Sequence, residues 1–129
     1  MIVDSSAVVA ILRQEPEALA FSETLEKTDG LKMSVVSYVE TAVVVDSARD
    51  PVISRKLDDL LRAAAIEIVP VTVQQGRIAR EAYRDFGRGS GHAAKLNFGD
   101  CFSYALARDS DESLLFKGND FGATDVRRA

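Results

Sequence analysis

Asn97-Phe98-Gly99-Asp100-Cys101-Phe102-Ser103-Tyr104-Ala105-Leu106-Ala107 has the pattern of a helix entering a protein core. Asn97 is a natural N-cap, and Asp100 stands three residues later, where a carboxylate can reach back to the cap. Cys101, Phe102, Tyr104, Ala105 and Leu106 follow and are apolar on more than one side, as in a helix packed inside a domain. The stretch therefore predicts a buried helix with one acid fixed at its mouth.

The rest of the chain supplies short strands for that helix to cover. Met1-Ile2-Val3 is a short apolar run, and Asp4-Ser5-Ser6 opens a helix over Ala7 to Arg13. Pro16 suits the first turn of a second helix, ending near Lys27, and Asp29-Gly30 is a turn. Leu31 to Ser34 reads as a second strand. Ser37-Tyr38-Val39-Glu40 has the capping-box pattern, with a helix behind it to about Arg49. Asp50-Pro51 starts another helix, with Val52, Ile53, Leu57, Leu60 and Leu61 at helical spacing. Ile66 to Val69 is a third strand, and Thr72 caps a helix to about Phe86. Gly87-Arg88-Gly89-Ser90-Gly91-His92 is the one segment expected to be flexible. Leu114-Leu115-Phe116 is a fourth strand, Lys117 to Asp120 a turn, and the tail from Thr124 offers a fifth strand. Strands separated by helices predict a parallel sheet covered on both faces, an α/β domain with four to five short strands.

The chain's 129 residues suit one domain spanning 1–129. Its single cysteine excludes an internal disulfide and a cysteine-based zinc site, and Cys101 reads as a small core residue. No leader pattern is present and no apolar run approaches the ~18 residues of a membrane span, so a cytoplasmic protein is expected. A net charge of −4 argues against a general nucleic-acid coat but not against an enzyme with a local basic patch.

Four acids fall at strand ends or helix starts: Asp4, Glu40, Asp100 and Asp120. In an open parallel sheet the carboxyl ends of the strands line the ligand crevice, where one topology gathers all four. Each has an ordinary structural role too. Glu40 and Asp100 can serve as helix-cap partners, and Asp120 as a turn residue. Asp4, a charge directly behind a buried strand, is costly without a partner. Carboxylates within ~4–6 Å repel, and a divalent cation relieves the repulsion; magnesium or manganese prefers oxygen ligands and commonly acts on phosphates.

Met-Ile-Val followed by Asp4-Ser5-Ser6-Ala7, Ser37-x-x-Glu40, the 97–107 stretch and Leu115-Phe116-Lys117-Gly118-Asn119-Asp120-Phe121 together resemble a PIN-domain ribonuclease, in particular the VapC toxins of bacterial toxin–antitoxin pairs. The resemblance covers essentially the whole chain. It implies a three-layer α/β/α domain and a Mg²⁺-dependent endoribonuclease (Mn²⁺ as the alternative ion) acting on structured RNA such as tRNA or rRNA. It also implies a homodimer and a cognate VapB-type antitoxin that blocks the site. By the resemblance the acidic set is Asp4, Glu40, Asp100 and Asp120, with Asp4 and Asp100 as principal metal ligands. Asp125 is the alternative to, or helper of, Asp120.

One histidine cannot support a two-histidine ribonuclease mechanism, whereas metal-assisted hydrolysis needs only carboxylates and the ion. Arg77, Arg80 and Arg84 share a helix face, Arg88 extends the row and Lys95 is nearby; they are either a solvated face or a phosphate track. The glycine-rich segment lacks the Lys-Ser/Thr of a P-loop, and His92 within it reads as a polar loop residue. The helix after Ser37 is apolar on more than one face, enough for a subunit or antitoxin contact besides the core. Two rival functions stand beside the nuclease. Ile2-Val3-Asp4 resembles the nucleophile loop of aspartyl phosphotransferases, although Ser6 stands where those usually carry a second Asp. A non-catalytic module holding an ion or a basic partner would use the same acids.

Overall fold

The computed structural model describes residues 1–129. The elements are β1 (Ile2–Val3), α1 (Ser5–Leu12), α2 (Ala18–Glu26), β2 (Lys32–Ser34), α3 (Val35–Asp46), α4 (Pro51–Ala63), β3 (Glu67–Val69), α5 (Val73–Phe86), α6 (Phe98–Ser110), β4 (Leu114–Leu115) and a final 3-10 turn at Phe121–Ala123. The strands form one parallel sheet in the order β3-β2-β1-β4, with Ile2 opposite Lys32 and Leu114, and Met33 opposite Ile68.

Successive strand residues face opposite sides, and this alternation builds two cores. Ile2 and Leu114 join Ala79, Ala82, Tyr104 and Leu106 beneath α5 and α6. Val3, Met33 and Leu115 join Val8, Leu25, Val45, Leu57 and Leu61 on the side of α1 to α4. The sheet is thus the middle of three layers, the α/β/α architecture expected from the alternation of elements. Its strands are apolar runs because both faces are covered.

The sequence signals for helix starts act as expected at four places. Asp4, Asp50 and Thr72 cap α1, α4 and α5 by accepting from Ser6, Val52 and Gln75 N–H, with Pro51 in the first turn of α4. Asn97 and Asp100 form a reciprocal capping box, Asp100 N–H to Asn97 Oδ1 at 2.8 Å and Asn97 N–H to Asp100 Oδ2 at 2.9 Å.

The expected capping box at Ser37 is not there. The chain passes from β2 straight into α3, so Ser34, the last strand residue, is the cap and accepts from Val36 N–H. With no loop between strand and helix, Ser37 becomes a fully buried residue inside α3, and Glu40 moves to the second turn. Pro16 precedes α2 instead of opening it, because α2 starts at Ala18. The tail adds no full strand: Leu114 N–H donates to Arg127 O and Ala129 N–H to Leu114 O, a single bridge that covers the free edge of β4. The glycine-rich segment is not an open linker. It is closed on itself by hydrogen bonds, described below. No helix is long and apolar enough to cross a membrane.

Candidate active site

The strand order explains why four acids from distant positions meet. The chain lays β2 and β3 on one side of β1, then returns to place β4 on the other. The carboxyl ends of β1 and β4 therefore flank a topological switch point, the place where open α/β sheets bind ligands. Asp4 follows β1 and Asp120 closes the turn after β4. Asp100 enters from the first turn of α6 and Glu40 from α3. Ser103 of α6 bonds Asp4, Gly99 of α6 abuts the Glu40 carboxylate and Lys117 N–H bonds Ser6, so the elements carrying the four acids meet here, and the charges of Asp4, Asp120 and Glu40 bear on Asp100.

Asp4 is held as a rigid acceptor. Its Oδ2 takes Ser6 N–H at 3.0 Å and Ser6 Oγ–H at 2.6 Å, and its Oδ1 takes Ser103 Oγ–H at 2.5 Å. A hydroxyl has one proton. Since Ser103 gives its proton to Asp4, the 2.9 Å contact between Ser37 and Ser103 is donated by Ser37. Two fully buried hydroxyls in series thus aim the Asp4 carboxylate. Ser6 Oγ in turn accepts from Lys117 N–H at 3.0 Å, which ties the turn carrying Asp120 to the end of β1. Glu40 Oε1 accepts from Ser5 Oγ at 2.5 Å. These serines stand in the motifs that carry the family resemblance, but their role in orienting the acids was not legible there. Ser103 left a signal, a hydroxyl one helical turn past Asp100 in an otherwise apolar run, and Ser37 left the misleading signal of a cap.

The electrostatics are those of crowded, partly dehydrated carboxylates. Burial, followed by the charges of Asp4, Asp120 and Glu40, pushes Asp100 up to about 7 against the opposing hydrogen bond from Asn97 N–H. Burial also raises Glu40, with Asp4 adding to it and the Ser5 hydrogen bond opposing. The Cys101 thiol is pushed up to about 11 by burial and the charge of Asp100, so it is no nucleophile at neutral pH, as expected of a core cysteine.

Gly99 is the backbone counterpart of Glu40: a Cβ there would fall within the Glu40 carboxylate. Gly99→Ala is expected to displace that side chain and lower cleavage about 10²-fold, with the helix content of the protein unchanged by circular dichroism. Activity equal to wild type would show that the position of Glu40 does not matter.

Asp125 does not share the site. It accepts Tyr104 Oη–H at 2.6 Å and pairs with Arg108 at 3.5 Å, two helical positions that lead away from Asp100 along α6. Asp125→Ala should leave cleavage unchanged and cost roughly 1 kcal/mol in urea melts, because the Tyr104 hydroxyl, on a residue only 7% exposed, loses its acceptor. A loss of cleavage at unchanged stability would return Asp125 to the acidic set.

Of the five basic residues singled out in the sequence, the structure places Arg88 and Lys95 in one cavity with Asp120. Arg80 lines an apolar groove with Tyr83 and Phe98, Arg84 is bound to Asp85 through two nitrogens, and Arg77 is exposed on α5.

The donor set consists of carboxylate oxygens, with no thiolate or imidazole, which fits a hard divalent cation. The unrelieved repulsion on Asp100 fits one as well. The acids do not close into a finished cage, since no three His, Cys, Asp or Glu side chains stand in ligating geometry. Asp4 and Glu40 spend oxygens on serine hydroxyls. An incomplete set suits an ion such as Mg²⁺ that keeps several waters.

Comparison with known proteins agrees with this fold. The PIN domain family matches residues 1–127. Ribonuclease VapC28 of Mycobacterium tuberculosis is 59% identical over 129 residues, all of this chain and 97% of that one. Ribonuclease VapC42 of the same species is 48% identical over the full chain and 98% of its own length. The chain therefore belongs to the PIN-domain family, among its VapC ribonucleases. Among solved structures, Mycobacterium tuberculosis VapC20, a sarcin–ricin loop cleaving toxin, superposes with a TM-score of 0.75 at 14% identity, covering 99% of this chain and 97% of that one. A toxin–antitoxin complex from Klebsiella pneumoniae gives 0.71 at 14% identity, with 96% and 92% covered. At that identity these two establish the fold.

Proposed function

We propose that the protein is a Mg²⁺-dependent endoribonuclease toxin that hydrolyses RNA phosphodiester bonds, with Mn²⁺ able to replace Mg²⁺. The observation that supports this is the placing of Asp4, Glu40, Asp100 and Asp120 around the switch point by elements in direct contact, through Ser103–Asp4, Gly99–Glu40 and Lys117–Ser6. Asp4 and Asp100 would be the principal ligands, with Glu40 and Asp120 completing the set. The ion, when bound, would supply charge compensation for a phosphodiester and a lowered pKa for water.

The chain's own groups do the remaining work. Ser103 and Ser37 fix the direction of Asp4, Ser5 fixes Glu40 Oε1, and the capping box fixes Asp100 Oδ2 on the Asn97 amide. Asp120 is exposed and carries the site out to solvent, where a substrate strand would approach. The aspartyl-phosphotransferase reading is disfavoured by Ser6. It stands where such loops usually carry a second Asp, and it donates to Asp4 Oδ2 through both its N–H and its hydroxyl. Divalent-dependent cleavage of RNA, lost in the acidic variants described in the Discussion, tests the proposal and separates it from a module that only binds.

The substrate we infer is structured RNA of the tRNA or rRNA class, in keeping with the RNA-loop-cleaving toxin that shares the fold. The partners we infer are a VapB-type antitoxin and a second copy of the chain, in the cytoplasm. An apolar face supports a protein partner: Val39 and Val43 on α3 are 52% and 63% exposed, and Phe98, which lines one groove with Val39, is 71% exposed.

A further inference from the structure

The segment joining α5 to α6 is a built loop. Gly87 and Leu96 pair as a parallel bridge, with Arg88 N–H donating to Leu96 O at 2.9 Å and Leu96 N–H to Phe86 O at 2.8 Å. Inside it, Ser90 Oγ donates to Gly87 O at 2.6 Å, His92 N–H to Ser90 Oγ at 3.2 Å and Ala94 N–H to His92 Nδ1 at 3.0 Å. The His92 ring packs edge-on against Phe86, 4.9 Å between centroids. Because Nδ1 accepts, the proton of the neutral ring sits on Nε2. Gly89 and Gly91 take φ of 83° and 84°, values that glycine adopts without strain.

Arg88, His92 and Lys95 of this loop line one cavity with Asp120, and no apolar residue enters it. Neither Arg88 nor Lys95 belongs to an ion pair. Two unpaired cations against one carboxylate make this an anion-seeking surface on an acidic protein. Asp120 is common to the cavity and the acidic cluster, so the two sites adjoin.

We propose that the cavity binds one phosphodiester of the RNA strand, adjacent to the bond that is cut. This rests on reading the acidic cluster as the cleavage site. Arg88 offers a planar two-point donor, Lys95 a point charge and His92 Nε2 a further N–H, all suited to phosphate oxygens. The loop's internal hydrogen bonds carry these groups on a backbone already folded, so little ordering is lost on binding. An acidic segment of a partner protein would present similar charge. RNA is favoured because the cavity opens directly beside the acids and excludes the apolar contacts that protein interfaces use.

The test uses Arg88→Gln/Lys95→Gln in an Asp100→Asn background, so that binding is read without cleavage. The probe is a labelled single-stranded RNA of roughly 12 nucleotides, followed by anisotropy across a salt series. Loss of one phosphate contact should make the log–log salt slope shallower by about 0.7 and weaken binding roughly tenfold at low salt. Arg55→Gln/Lys56→Gln on α4, in the opposite layer, removes the same charge and should leave the slope unchanged. An unchanged slope in the loop variant, or an equal change in the α4 variant, overturns the proposal. The acidic-cluster reading fails separately, by cleavage surviving in the Asp100→Asn parent.

Discussion

Asp100→Asn should abolish RNA cleavage, by about 10³-fold or more, while raising the melting temperature of the metal-free protein. The two effects have one origin. Asp100 is 8% exposed and stands under the charges of Asp4, Asp120 and Glu40, which together with burial disfavour its ionised form. Asparagine keeps an oxygen for the Asn97 amide, so the capping box is retained on that side, while the charge is removed. The gain is about 1–2 kcal/mol after allowing for screening through the open side of the crevice. For a domain of this size that is a rise of roughly 3–8 °C. Asp4→Asn should lose cleavage equally without the stability gain. Asp4 uses both oxygens as acceptors, and an amide NH₂ in place of one of them confronts either Ser6 or the Ser103 hydroxyl. If Asp100 were only a helix cap, its replacement would leave cleavage intact and gain nothing in stability. Full activity in purified Asp100→Asn at saturating Mg²⁺ removes it from the mechanism.

The second large effect is that of the ion on the wild-type fold. A cation that binds the native acids and not the unfolded chain stabilises by mass action, about 2.7 kcal/mol at a hundred times its dissociation constant. Thermal melts should therefore rise with Mg²⁺ concentration by roughly 8 °C before levelling. Sodium at matched ionic strength should do much less, because screening is weaker than coordination at short range. Asp100→Asn should lose most of the Mg²⁺ response, since a proposed principal ligand is gone and its starting stability already contains the relief of repulsion. No Mg²⁺ shift beyond the sodium control in wild type would rule out a shared ion among Asp4, Glu40, Asp100 and Asp120, whatever the activity data show.

How much of this site was written in the sequence depends on how local the responsible interaction is. Asn97 and Asp100 were legible because a capping box is a contact between residues three apart, set by backbone geometry alone. The same pattern misled at Ser37. Whether a helix starts there or at Ser34 depends on whether β2 needs a loop to reach α3, and only the assembled sheet decides that. The sequence placed Asp120 in the acidic set by family resemblance but left Asp125 as its alternative or helper, since both are acids in turns. Packing separates them: Tyr104 and Arg108 on α6 engage Asp125, and the Ser6–Lys117 bond ties the turn of Asp120 to β1.

By itself the sequence determined the layered α/β fold, because apolar periodicity and chain breakers act over a few residues and strands alternating with helices leave one sensible sheet. It also determined which acids lie at element ends. The tertiary structure alone decided that the elements carrying those acids meet, that two buried serines from different helices aim Asp4, and that Arg88 and Lys95 line one cavity with Asp120. The Asp4–Ser103 hydrogen bond among these contacts spans 99 residues of chain. They are set by strand order and by the closing of a hydrogen-bonded loop, and neither leaves a periodic trace in the residues that take part.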